Sequence, residues 1–135
     1  MIYSVDAQVT APVYDTEVTD RVADAVVALF PGGDPEFAHG ELTATVHDLE
    51  HFSELLYRQQ ILDTAREIFF ENCRGDTFSF QLKKAAAFEG VVNFVVDEPG
   101  ELGAITVRVR VEEPSVEEYV DHVAPPTEAG EPIES

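Results

Sequence analysis

The sequence predicts an α+β fold, a two-layer sandwich in which helices cover one face of an antiparallel or mixed sheet of about four strands. Some segments alternate apolar and polar residues, whereas others repeat apolar residues at helical spacing. Their order along the chain is strand, helix, strand, two helices, two strands and a final helix. The length of 135 residues suits a single domain with its own hydrophobic core.

The first elements are a strand, a helix and a second strand. Residues 2–11 alternate between apolar and polar side chains, which is typical of a strand covered on one side. Apolar residues then recur at helical spacing from Val18 to Leu29, and Pro31 followed by two glycines ends that helix. A second strand is expected near residues 36–46.

The middle of the chain has the longest helical pattern. Asp48 is a suitable N-cap residue, and apolar residues continue at helical spacing to about Cys73. We expect a break near Gln59 and Gln60. Residues 74–76, Arg-Gly-Asp, supply a helix end and a turn.

Two further strands follow in the C-terminal half. Residues 77–82 and 104–112 alternate cleanly, and a short helical turn over 83–88 follows the first of them. Ser115 opens a last short helix. We therefore expect one α+β domain over residues 1–124, and a disordered acidic tail over 125–135 because that segment is polar and rich in proline.

The net charge of −19 is far larger than solubility requires. Excess acid, only two lysines and many small core residues together suggest a halophilic protein, since molar salt shortens the Debye length to about 3 Å and screens the self-repulsion. The alternative is an ordinary acidic protein that avoids polyanions. An acidic net charge normally argues against a nucleic-acid partner. Under the halophilic interpretation it does not, because the charge is then an adaptation to the salt of the solvent.

The charge is unevenly distributed along the chain. Residues 58–110 carry seven basic and eight acidic residues, so only −1 of the total of −19 falls in this segment. The predicted outward strand positions are also poor in acid, with five threonines and a single carboxylate, Asp6, among twelve. Hydroxyl, amide and guanidinium groups suit phosphate and sugar contacts, but strands favour threonine in any protein, and a dimer interface has the same composition.

Sequence features exclude several classes of function. No apolar run reaches the length of a membrane span, and residues 1–10 lack the pattern of a secretory signal, so we expect a cytoplasmic protein. Cys73 is the only cysteine and is expected to be a buried small hydrophobe. No nucleophile elbow, P-loop or dinucleotide fingerprint is present, and we expect neither a cofactor nor a metal.

Residues 47–51, His-Asp-Leu-Glu-His, match the spacing of an inverted zinc-peptidase motif. That chemistry needs both histidines on one helical face. Because Asp48 is expected to cap the helix, His47 should lie outside it. We therefore expect surface histidines around a cap.

Three runs of residues resemble one known family. They are Gln60–Arg66, Phe78–Phe88 and Gly90–Phe94, and the similarity extends over about residues 2–124. In this order they resemble archaeal uncharacterised protein family 0201. The resemblance implies an α+β fold related to the large-subunit ribosomal protein that binds 5S rRNA, and a proposed role in RNA binding.

We therefore predict a non-catalytic protein that binds RNA, with ribosomal RNA as one candidate target, through the carboxylate-poor sheet face and a basic rim. The predicted nucleic-acid contacts are Arg58, Arg66, Lys83, Lys84, Arg108 and Arg110. Lys83 and Lys84 follow a strand directly, while Arg66 has the alternative role of pairing with a carboxylate and anchoring its helix. The competing hypotheses are a homodimeric structural or protein-interaction module and, third, an enzyme acting on a small acidic molecule.

Overall fold

The computed structural model describes residues 3–98, 100–128 and 131–132. The described strands are β1 (Ser4–Pro12), β2 (Glu36–Ala38), β3 (Glu41–Val46), β4 (Thr77–Lys83), β5 (Ala104–Glu113), β6 (Thr127–Glu128) and β7 (Glu131–Pro132). The helices are α1 (Thr19–Leu29), α2 (Glu50–Arg58), α3 (Leu62–Glu71), α4 (Lys84–Ala87) and α5 (Val116–Val123).

Five of the strands form one antiparallel sheet in the order β2-β3-β1-β5-β4. Helices pack on one face of this sheet, where the alternating apolar residues are buried, and the opposite face is exposed. The predicted α+β sandwich is confirmed, with one strand more than expected. The strands β6 and β7 form a separate antiparallel pair.

The additional strand comes from the segment expected to be one strand over residues 36–46. A turn at His39 and Gly40, both with positive φ, folds it into the β2–β3 hairpin. Two consecutive residues with positive φ give the tight turn whose twist matches paired strands. The prediction of a single strand over residues 36–46 was therefore wrong. The sequence signal for the hairpin was the pair His39-Gly40.

The predicted break in the long helical pattern is confirmed. Gln60 has φ 58 between α2 and α3, and its backbone N–H bonds to the carbonyl of Tyr57. The start of α2 differs by one residue, since Leu49 occupies the N-cap position. Asp48 still contributes there, because its carboxylate accepts a hydrogen bond of 3.1 Å from the backbone N–H of Glu50.

An aromatic cluster fills the core between the sheet and the helices. Phe52 and Phe69 project from α2 and α3, and their rings lie 5.2 Å and 4.9 Å from that of Phe80 on β4. Phe78 and Phe94 complete the cluster, with all five side chains buried. Offset and edge-on ring pairs of this kind add to the stabilisation from apolar burial.

Two hydrogen bonds hold the last helix, α5, in place. The Ser115 hydroxyl accepts a hydrogen bond of 3.2 Å from the backbone N–H of Glu118, which is an N-cap contact. The buried phenol of Tyr119 accepts a bond of 2.9 Å from the N–H of Leu49, which ties α5 to the start of α2. Loss of solvation raises the pKa of Tyr119 well above its ordinary value, so the phenol stays neutral.

The C-terminal segment is only partly within the described residues. Thr127–Glu128 pairs with Glu131–Pro132, and the Thr127 hydroxyl donates a hydrogen bond to Asp63 on α3. Residues 129–130 and 133–135 lie outside the described part of the chain. The disorder expected over 125–135 stays a prediction, although two short pieces of that segment pair as strands.

In the described ranges, no helix is long and apolar enough to span a bilayer.

Removing the central ring of the core should destabilise the fold strongly. We expect Phe69→Ala to lower the free energy of unfolding by about 3–5 kcal/mol, because the side chain is fully buried against Phe78 and Phe80. The matched control is Phe37→Ala, whose side chain is 53% exposed and should change stability by less than about 0.5 kcal/mol. Urea unfolding of both variants measures the difference, and equal losses would contradict this core assignment.

Candidate functional site

The exposed side of the five-stranded sheet is a surface that we call the open face. Its outward residues are exposed or half-buried, as the alternation predicted. The twelve predicted positions on it are Ser4, Asp6, Gln8, Thr10, Thr43, Thr45, Thr77, Ser79, Gln81, Thr106, Arg108 and Arg110.

Arg108 lies in the carboxylate-free part of the open face. Strand pairing places it directly opposite Gln8 on β1 and opposite Ser79 on β4. The next row contains Thr10, Thr106 and Gln81, and the Gln81 amide donates a hydrogen bond of 3.2 Å to the Thr106 hydroxyl. Among the described residues, the exposed guanidinium of Arg108 forms no ion pair or side-chain hydrogen bond.

Carboxylates occur at the margins of the open face. Asp6 lies opposite Arg110, Glu112 accepts a hydrogen bond from Ser4 at the same end of the sheet, and Glu36 lies opposite Thr43 at the β2 edge. Arg110 also pairs with Asp76 at 3.4 Å, with both side chains exposed. The charge of Arg110 is thus largely offset by neighbours, unlike that of Arg108.

Lys83 lies on the open face at the end of β4, paired in register with Ala104. It shares the outward direction of Gln81, two residues earlier in the strand. Its side chain is half-buried and, within the described ranges, makes no salt bridge. The open face therefore collects Lys83, Arg108 and Arg110.

The other two predicted arginines lie on the helical layer. Arg58 is the last residue of α2 and lies 3.6 Å from Glu54. Arg66 on α3 donates hydrogen bonds to Asp121 at 2.6 Å and to the carbonyl of Ala124 at 3.2 Å. Arg66 therefore joins α3 to α5, which matches its alternative role of pairing with a carboxylate. Neither arginine belongs to the open face.

Lys84 corrects the predicted basic set, because its side chain is fully buried. The ammonium donates to the carbonyl of Pro12 at 2.6 Å and to the Glu17 carboxylate at 2.5 Å, and it lies 4.7 Å from the centre of the Tyr14 ring. Lys83 is the last residue of β4 and Lys84 the first residue of α4, so their side chains point in different directions. Lys83 therefore lies on the open face, whereas Lys84 is buried. Lys84 cannot contact a phosphate on the open face.

Glu17 completes this buried pair from the segment before α1. Its side chain is 8% exposed, and Oε1 accepts hydrogen bonds from both Lys84 and the backbone N–H of Tyr14, the latter at 3.0 Å. The other oxygen, Oε2, is buried and has no hydrogen-bond partner in the part of the chain that the structure describes. The pair connects the end of β1, the start of α1 and the beginning of α4.

Gly103 permits the close approach at this corner. It has φ +82, and a Cβ there would lie 2.6 Å from the Tyr14 hydroxyl. Its carbonyl accepts a 3.2 Å hydrogen bond from the backbone N–H of Lys84. A side chain at this position would displace the ring that covers the ammonium.

The histidines of residues 47–51 are separated as expected. His47 follows β3, outside α2, and its Nδ1 lies 2.9 Å from an Asp6 carboxylate oxygen. His51 is on α2, 3.9 Å from Glu54. No cluster of three or more potential metal ligands occurs among the described residues.

Comparison with known proteins identifies the family. No family model matches the chain. The UPF0201 protein PH1010 of Pyrococcus horikoshii is 38% identical over 136 residues, covering 96% of this chain and 96% of that protein. This chain belongs to the UPF0201 family. The predicted resemblance to family 0201 is confirmed.

Other UPF0201 comparisons extend this result. The crystal structure of the UPF0201 protein from Methanococcus jannaschii has a TM-score of 0.89 and 30% identity, and covers 96% of this chain and 99% of that one. The UPF0200/UPF0201 protein of Archaeoglobus fulgidus is 31% identical over 131 residues. That match includes 96% of this chain but only 40% of the length of the relative.

Sequence patterns did not reveal the buried pair in this UPF0201 chain. Glu17 and Lys84 are 67 residues apart, and their contact depends on the sheet bringing the ends of β1 and β4 to one side. One local signal did exist. Lys84 begins a helical turn whose other residues are three alanines, an unusual place for an incidental charge. Glu17 was indistinguishable from many other acidic residues.

The two adjacent lysines should differ sharply in their effect on stability. We expect Lys84→Met to lower the free energy of unfolding by about 3–5 kcal/mol, because it leaves the Glu17 carboxylate buried without its counterion. Lys83→Met should change stability by less than about 0.5 kcal/mol. Chemical denaturation of the two variants measures this contrast.

The double variant Lys84→Met/Glu17→Gln tests the cause. It should recover most of the loss, since an uncharged amide keeps an acceptor for the Tyr14 N–H without burying a charge. A double variant no more stable than Lys84→Met would show that the lysine stabilises by packing instead.

Proposed function

We propose that this UPF0201 protein binds RNA through the open face, without catalysis. The observation that carries the proposal is Arg108, an exposed guanidinium set among hydroxyl and amide side chains, with Gln8 and Ser79 directly opposite. Guanidinium groups bind phosphate oxygens in a bidentate manner, and hydroxyl and amide groups add sugar and phosphate contacts.

Lys83 supplies a second cation on the same surface. It lies four register positions from Arg108, a separation of about 13 Å at about 3.3 Å per strand residue. The two cations suit phosphates that are not adjacent along a strand of RNA. Arg110 adds a third contact only when its exposed pair with Asp76 opens, and such surface pairs cost little to break, about 0–1 kcal/mol.

The acidic remainder of the molecule shapes the proposed binding. A net charge of −19 repels polyanions in dilute salt, and this repulsion weakens as salt rises. We infer that the protein functions in a salt-rich cytoplasm, where hydrogen bonds rather than counterion release supply the affinity. The expected relation to the 5S rRNA-binding ribosomal protein belongs to the same proposal and makes structured ribosomal RNA the first target to test.

A charge reversal at Arg108 tests the open face. We expect Arg108→Glu to weaken binding to total cellular RNA by about tenfold or more, since it removes a bidentate phosphate contact and adds repulsion. Filter binding or fluorescence anisotropy from about 0.2 to 3 M KCl measures the affinity through the screening regime.

Arg58→Glu is the matched control for this measurement. It changes the net charge equally, but on the helical layer, so its affinity should stay within about twofold of the unaltered protein. Equal losses in both variants would mean that only overall charge matters. Absence of RNA binding at every salt concentration would refute the proposal.

A second candidate is a protein-interaction module. The name of the Archaeoglobus fulgidus relative pairs UPF0200 with UPF0201, and this chain accounts for 40% of that protein's length. We infer that a UPF0200 protein is a candidate partner, because parts joined in one chain often associate when separate. Pairing of two copies through the open face is the homodimeric form of the same candidate.

Light scattering on the purified protein distinguishes these forms. A mass of two chains that falls to one in Arg108→Glu would favour the homodimer through the open face. A larger complex formed only on addition of a UPF0200 protein would favour the heterologous partner. A single-chain mass under both conditions, together with RNA binding, would leave only the first proposal.

A further inference from the structure

A cleft of ≈ 710 Å³ lies between α1 and α4, next to the buried ion pair. Glu17, Arg21 and Asp24 supply its charged groups, whereas Val18, Phe88 and Leu102 supply apolar surface. Its volume falls in the range of about 300–1,000 Å³ typical of sites for small organic molecules. Neither proposed function above uses this cleft, which is separate from the open face.

The strongest sign of a ligand is the unpartnered oxygen of Glu17. The side chain is 8% exposed, and Oε2 has no hydrogen-bond partner among the described residues, although Glu17 lines the cleft. Buried carboxylate oxygens normally accept hydrogen bonds, since leaving one unsatisfied is costly. The Lys84 ammonium does not meet this need, because its contacts are to Oε1, Pro12 and the Tyr14 ring.

Arg21 gives a second, independent sign. It lies in the first turn of α1, and its exposed side chain has no ion pair or side-chain hydrogen bond in the described part of the chain. The first turn of a helix favours negative charge, so an anion bound beside Arg21 would offset the unfavourable position of this cation. Arg21 is also the one basic residue outside residues 58–110.

We propose that this cleft binds a small molecule that joins a neutral N–H donor to an anionic group, as a nucleoside monophosphate does. The donor bonds to Glu17 Oε2, the anion contacts Arg21 and the start of α1, and the flat apolar part packs on Phe88 and Leu102. A neutral donor is specified because Lys84 already balances the charge of Glu17. The free amino acids, whose donor is an ammonium, are the alternative source of similar chemistry.

Entry to Oε2 requires movement at the rim of the cleft. Oε2 itself is shielded, but Val18 and Phe88 are 60% and 38% exposed. Side chains this exposed change rotamer on fast timescales at little cost. The proposal therefore requires these rim side chains to move aside, so that a ligand reaches the carboxylate while α1 and α4 keep their positions.

Isothermal titration of this protein with AMP, GMP, CMP and UMP tests the proposal, with glycine and glutamate as the amino-acid arm. We expect saturable binding of at least one nucleotide with a Kd of about 1 mM or tighter. Arg21→Gln should weaken that binding by about tenfold through loss of the charged contact. Ala28→Phe, which fills the cleft from an exposed position on α1, should abolish it.

Two arginines outside the cleft serve as controls. Arg58→Gln and Arg108→Gln should leave the nucleotide affinity within about twofold, which separates this site from the open face. Glu17→Gln, if its melting curve shows it folded, should weaken binding because an amide N–H replaces the acceptor.

Three results would overturn the proposal. The first is no saturable heat with any nucleotide, and the second is binding of amino acids alone. The third is nucleotide binding that persists in Ala28→Phe or disappears in Arg108→Gln.

Discussion

The one-sided alternation of the sheet governs the rest of this molecule. In β1, β3, β4 and β5, every second residue is apolar and buried, so all the helices that pack on the sheet must cover the same face. The helices close that side around an aromatic cluster centred on Phe69 and Phe80. The opposite side is left to water, with Arg108 in its carboxylate-free part.

The buried pair of Lys84 and Glu17 adds a specific contact to this general packing. Burying two charges costs several kcal/mol per ion, about what their attraction returns, so such a pair contributes little net stability. It also links three elements, because the Lys84 ammonium at the start of α4 bonds to the Pro12 carbonyl at the end of β1 and to Glu17 just before α1. The same corner borders the cleft between α1 and α4, and the second Glu17 oxygen has no hydrogen-bond partner among the described residues.

The two candidate sites in this UPF0201 protein lie on different elements and use different chemistry. The open face offers broad hydrogen bonding with few charges, which suits a polymer backbone bound in strong salt. The cleft between α1 and α4 offers a buried acceptor beside a cation, which suits one small molecule. Substitutions at Arg108 and Arg21 would therefore test the two proposed sites separately.

The sequence by itself determined the α+β class, the long strands, the break at Gln60 and the outward residues of the open face, because these depend on local period and turn chemistry. It predicted one strand where His39 and Gly40 make a hairpin, since their positive φ is a backbone property that the alternation does not show. Only the tertiary structure separated Lys83 from Lys84, placed Arg66 against Asp121 and joined Lys84 to Glu17. Those contacts span 55 and 67 residues, and pairings at such distances depend on how the sheet and helices assemble, which no local pattern records.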